Sequence, residues 1–94
     1  MLESQLERTL KREVEKVGGQ ALKWTSPGKA GVPDRIVLLP GGRCVFVEMK
    51  APGKPLRPLQ KKRKRELENL GFEVYKLDSL NAIDEFIQEV AYGI

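Results

Sequence analysis

At 94 residues, with 40% hydrophobic and 32% charged side chains, the chain has the composition of one small globular domain over residues 1–94, with no room for a second. Its 17 Lys and Arg against 13 Asp and Glu leave a net charge of +4; one cysteine excludes an intramolecular disulfide, and the lack of histidine removes the commonest transition-metal ligand and the usual general base. No apolar run approaches a bilayer span and no leader pattern opens the chain, so a soluble intracellular protein without membrane partner, structural zinc or Ser-His chemistry is expected.

Over residues 2–17, Leu2, Leu6, Leu10, Val14 and Val17 recur every three or four positions, and Gly18-Gly19 follows as a stop. That period predicts an amphipathic helix with one face on a sheet. Glu3 and Glu7 lie beside the stripe, where acids in a first turn favour the helix dipole. Residues 20–25 read as a short strand, with Leu22 and Trp24 on one face and Lys23 on the other. Lys23 is expected to point toward the acidic face of the following hairpin and to touch substrate. Residues 26–32 form a polar, glycine-rich loop whose small residues Ser26, Gly28, Ala30 and Gly31 would let a nucleic-acid backbone approach, with Lys29 available to a phosphate.

Residues 36–39 and 45–47 are rich in β-branched and aromatic side chains around Pro40-Gly41-Gly42, which predicts a β-hairpin. Turn length decides where its acids point. A two-residue loop would pair Arg35 with Glu48 and send Asp34 to the opposite face. A three-residue loop, closed by a glycine in the left-handed region, would pair Leu39 with Arg43 and bring Asp34 opposite Glu48. Two carboxylates side by side are destabilising unless a cation lies between them. Hard oxygen ligands favour magnesium, with manganese able to substitute. Phe46, Glu48 and Lys50 share a face by parity, so Lys50 reaches the same region.

Beyond the hairpin, residues 51–58 hold three prolines and Gly53, an irregular connector. Pro58 suits a helix's first position, and residues 58–70 read helical, with Leu59, Leu67 and Leu70 expected to be buried and Gly71 as stop. Residues 54–65 contain seven basic side chains and no acid, so the remaining ten bases and 13 acids are net negative and the whole positive excess is local. Such asymmetry is the footprint of a nucleic-acid partner, with Lys54, Arg57, Lys61, Lys62, Lys64 and Arg65 as candidate phosphate contacts. The block has no aromatics, which suits backbone contact rather than base stacking. Residues 72–77 form a last strand, alternating Phe72, Val74 and Lys76 with Glu73, Tyr75 and Leu77. Ser79 then caps a final helix with the stripe Leu80, Ile83, Phe86, Ile87 and Val90. The order α-β-β-β-α-β-α implies an α/β fold with a mixed sheet flanked by helices.

Pro33-Asp34, a hairpin, then Glu48-Met49-Lys50 after an apolar run resembles the signature of the PD-(D/E)xK nuclease superfamily. More closely, Gly31-Val32-Pro33-Asp34-Arg35 with Val47-Glu48-Met49-Lys50-Ala51-Pro52 resembles the VRR-NUC family, the virus-type replication-repair nuclease domain, over nearly the whole chain. The resemblance implies the restriction-endonuclease-like αβββαβ core with one helix added, and a magnesium-dependent DNA endonuclease that leaves a 5′-phosphate. It implies catalytic roles for Asp34, Glu48 and Lys50, and for Gln60, a position where the family places a glutamine near the site. It also implies an acidic residue on the first helix that completes the metal set, through water. Glu7 is the expected residue, with Glu3 left as the alternative. Asp34, Glu48 and the Met49 main-chain carbonyl would complete the oxygen shell.

The family's replication and repair associations point to structured or branched DNA in the cytoplasm of a bacterial or phage-infected cell. Two other function classes fit the same residues. One is a non-catalytic DNA-binding module on a nuclease fold, which the intact Asp34, Glu48 and Lys50 disfavour. The other is an RNA-processing nuclease, since the motif does not read sugar identity. Two cuts on a structured substrate are easiest for a two-fold pair of sites, so a homodimer is expected, with the last helix as candidate interface.

Overall fold

The computed structural model describes residues 2–93. Its elements run α1 (Glu3–Lys16), β1 (Gln20–Lys23), β2 (Arg35–Leu39), β3 (Arg43–Met49), α2 (Pro58–Asn69), β4 (Val74–Leu77) and α3 (Leu80–Tyr92). The four strands form one sheet in sequence order, antiparallel between β1, β2 and β3 and parallel between β3 and β4. Only the β3 to β4 step needs a crossover, and α2 supplies it.

Leu6, Leu10 and Val14 of α1 and Ile83, Phe86, Ile87 and Val90 of α3 bury themselves against Val37, Leu39, Val45, Val47, Met49 and Leu77, so one sheet face carries the core. The amphipathic periods of both helices therefore read correctly at their centres. Their first apolar residues do not follow: Leu2 is the N-cap of α1 and 68% exposed, and Leu80 is also exposed at the start of α3. A helix end overhangs the sheet, so periodicity alone overextends the buried stripe. Ser79 caps α3 as its residue type predicts, its hydroxyl accepting from the Ala82 N–H at 3.0 Å.

The opposite face carries Leu22, Ile36, Leu38, Phe46 and Val74 and is covered only in part, by α2. Trp24, Phe46 and Phe72 close a small aromatic group there, with ring centroids 5.1 and 5.3 Å apart. The expected burial of α2's leucines is corrected: Leu59 and Leu70 are exposed, the latter by 75%, and the helix's one buried residue is Gln60. Helix α2 lies against the strand ends with a polar side chain inward, because what it covers is charged.

Candidate active site

The hairpin closes with the three-residue turn. Leu39 pairs with Arg43, and Gly41 and Gly42 both take positive φ, at 84° and 78°. The register continues to Arg35 opposite Val47, which brings Asp34, one residue before β2, beside Glu48. Trp24 holds this strand end, its N–H donating to the Asp34 carbonyl at 2.8 Å.

Each acid is fixed by a neutral donor. The Met49 N–H donates to Asp34 Oδ1 at 3.2 Å, and Gln60 Nε2 donates to Glu48 Oε2 at 2.9 Å. The same Gln60 amide accepts the Arg57 N–H through Oε1 at 2.8 Å, so both of its ends are used and its orientation is set. Glu48 and Gln60 are each only 8% exposed. Burial pushes the Asp34 carboxyl up to about 6, the Met49 N–H opposes it, and the charges of Glu7 and Glu3 add to the rise. Burial also pushes Glu48 up, to about 7, reinforced by the Asp34 charge and opposed by Lys50. Two partly desolvated carboxylates that repel each other, each with oxygen lone pairs to spare, form a donor set that fits a hard divalent cation. Among the described residues no three His, Cys, Asp or Glu side chains converge as a ready-made cluster, so the acids stand as a pair.

Helix α1 brings two acids toward the pair. Glu7 lies on the α1 side of the sheet, where Arg35 Nη2 approaches its Oε1 at 3.5 Å, and its charge raises the Asp34 carboxyl. Glu3 bears on both Asp34 and Glu48. The dipole account of Glu3 therefore omits a second property, a charge that reaches both acids; its spacing of four from Glu7 was the signal available in sequence. Lys76, opposite Glu48 in the parallel register, also stands on the acidic face, with its Nζ 3.6 Å from Asp78. No sequence pattern showed that pairing.

The expected direction of Lys23 is corrected. It pairs with Arg35 and through it with Val47, so it emerges on the core side of the sheet, while Trp24 lies on the Glu48 side. In the basic block, Arg57, Lys61, Lys62 and Arg65 are exposed along α2 and Lys54 lies exposed before it. Lys64 pairs with Glu68 at 2.8 Å and Lys29 with Glu66 at 3.7 Å. Ser26 is part of a turn, its carbonyl accepting the Lys29 N–H at 3.1 Å, and Gly28 has open space around it, as a site for close backbone approach requires. A half-open cavity of about 380 Å³ lies between Ala30-Gly31 and the first turn of α2, with Gln60 in its wall. The last helix spends its apolar stripe, Ile83, Phe86, Ile87 and Val90, in the protein's own core.

The arrangement has counterparts in known proteins. A solved structure described as a VRR_NUC domain superposes with a TM-score of 0.88 at 28% identity, over 94% of this chain and 96% of its own. A protein of Acyrthosiphon pisum secondary endosymbiont phage 1, named "Putative nuclease p44", is 49% identical over 77 residues, 82% of this chain and 83% of that protein. The VRR-NUC domain model matches residues 2–80, a span that contains α1, the hairpin with its acid pair, α2 and β4. With the fold, the paired acids and the sequence in agreement, the chain belongs to the VRR-NUC family of nuclease domains.

Proposed function

We propose that the protein is a magnesium-dependent DNA endonuclease that hydrolyses phosphodiester bonds in structured or branched DNA, acting as a homodimer in the cytoplasm of a bacterial or phage-infected cell. The observation that carries this reading is the Asp34–Glu48 pair, two carboxylates both raised chiefly by burial, Glu48 further by the Asp34 charge, beside Lys50 and the Gln60 amide. Maintaining that repulsion costs stability, which is the pattern of a site kept for function.

Asp34 and Glu48 would hold the ion, with the Met49 carbonyl, and with Glu7 or Glu3 acting through water. Bound there, the ion supplies Lewis acidity for water and for the scissile phosphate. Gln60 keeps Glu48 oriented without adding a charge, a task a glutamate could not perform beside a second carboxylate. Lys50, whose charge acts on Glu48, would orient the attacking water or stabilise the charge that builds on the phosphoryl oxygens. Water forms the new P–O bond, the bond to O3′ breaks, and a proton passes to the departing 3′ oxygen, leaving a 5′-phosphate and a 3′-hydroxyl. Arg57, Lys61, Lys62 and Arg65 lie exposed on the adjacent helix for the phosphates on either side. Support for a second copy comes from the uncovered sheet face, where Leu22, Leu38 and Phe72 remain exposed.

The test is digestion of linear, flapped and four-way DNA and of matching RNA, with magnesium, manganese or EDTA. Magnesium-dependent cutting that favours branched DNA is the expected result. Binding without cutting in either metal refutes the enzyme, and preferential cutting of RNA transfers the reading to RNA processing. Light scattering during the same experiments reads the oligomeric state.

A further inference from the structure

Where Lys61, Lys62 and Arg65 of the same helix are exposed, Arg63 points inward, its side chain 15% exposed. Its Nε donates to the Ala30 carbonyl at 2.8 Å, and its Nη1 reaches both Glu66 oxygens at 3.2 and 3.3 Å. Glu66 in turn takes Lys29 at 3.7 Å, so the far side of the 26–32 loop is fastened to the same turn of α2. One residue on, Gly31 lies so close to α2 that a Cβ there would stand 2.7 Å from Leu59 Cγ and 3.0 Å from the Leu59 carbonyl, at a φ of +86°. Gly31, Val32 and Pro33 then lead directly into Asp34, while Gln60, next to Leu59, holds Glu48.

We infer that Arg63 is a positioning residue of the acid pair, straps the loop that delivers Asp34 onto the helix that holds Glu48, and is not one of the phosphate contacts. The hairpin register brings the two carboxylates together, and one rigid element, α2, then touches the approaches to both and holds the loop that leads into Asp34. The seven-cation block divides into two tasks. Arg63 serves the site's geometry, and the outward residues serve the polyanion. At the loop's tip the strap has few competitors, since a Cβ built on Gly28 would meet nothing within 4 Å. Misplacing one ligand of a pair by about 1 Å is enough to cost on the order of a hundredfold in rate.

This rests on Asp34 and Glu48 being a cation site, and the experiment keeps the two claims apart. Arg63→Met retains the aliphatic stem and removes every donor, Arg63→Lys retains a donor, and Glu66→Ala, at a half-exposed position outside the core, loosens the same strap with little risk to the fold. The readouts are the magnesium concentration that half-raises the melting temperature, single-turnover cleavage, and the salt dependence of DNA binding in calcium. Arg63→Met should need several-fold more magnesium and cut about ten- to a hundredfold more slowly, with the salt slope unchanged. Arg63→Lys should recover much of both, and Glu66→Ala should show a smaller loss in the same direction. Lys61→Gln, as contrast, should lower the slope by about one.

If Arg63→Met and Glu66→Ala titrate magnesium and cut as the wild type does, the strap is refuted. If Arg63→Met instead lowers the salt slope as Lys61→Gln does, Arg63 is a phosphate contact and the inference fails. A wild type that neither gains stability from magnesium nor cuts would remove the cation-site reading itself and this inference with it.

Discussion

Replacing Asp34 by Asn should stabilise the metal-free protein. The Asp34 carboxyl is raised from 3.8 to about 6, chiefly by burial; with part of the group still screened by solvent, its ionised form costs the fold on the order of 2 kcal/mol above neutral pH. The amide is nearly the same shape and still presents an oxygen to the Met49 N–H, which now donates at 3.2 Å. It also removes the charge that, after burial, does most to raise Glu48 toward 7. Against this, a neutral acceptor makes a weaker hydrogen bond and the amide has a burial cost of its own, so a net gain of about 1 to 2 kcal/mol is expected. For a domain of this size that is roughly 5 to 15 °C in melting temperature. The sign with pH follows from the direction of the shift. Folded Asp34 and Glu48 bind protons more tightly than the unfolded chain does, so their penalty is small below about pH 4, grows as pH rises, and is complete only above about pH 8. Thermal melts in EDTA at about pH 8 and about pH 4 are the assay, with the mutant's advantage present at the first and gone at the second. Magnesium should then reverse the order at about pH 8 by raising the wild type and not the mutant. A mutant that melts no higher than wild type at about pH 8, or gains equally at both pH values, would refute the reasoning.

Lys50→Ala should leave magnesium and DNA binding nearly intact while single-turnover cleavage falls about a hundredfold or more, and Lys50→Arg should not fully restore it. Replacing Lys61, Lys62 and Arg65 together by Gln should weaken binding to every DNA sequence alike and reduce the salt slope by about one for each phosphate no longer neutralised, measured by fluorescence anisotropy in calcium. Glu3→Gln and Glu7→Gln distinguish the two acids of α1: Glu3→Gln should ease both raised carboxyls and weaken the magnesium-induced rise in melting temperature. Glu7→Gln should act chiefly through Asp34 and also release Arg35 from its 3.5 Å contact.

The features legible in the chain alone rest on local periodicity and turn chemistry. The stripe Leu6, Leu10 and Val14, the Ser79 cap and the Pro40-Gly41-Gly42 closure are short-range constraints, and the last of these fixes a register that carries Asp34 to Glu48. Because side chains alternate with period two, one turn length was enough to place two acids together. Tertiary structure decided everything that depends on which surface an element meets. Lys23 emerges on the core side because β1 pairs with β2 through Arg35; Leu59 and Leu70 stay exposed because α2 covers charged strand ends rather than apolar ones. Lys76 reaches the acidic face only through the parallel β3–β4 pairing, and Arg63 turns inward to a carbonyl 33 residues away while its sequence neighbours remain at the surface. A run of like charges carries no information about which member will find a partner across the fold, since that partner is set by long-range packing.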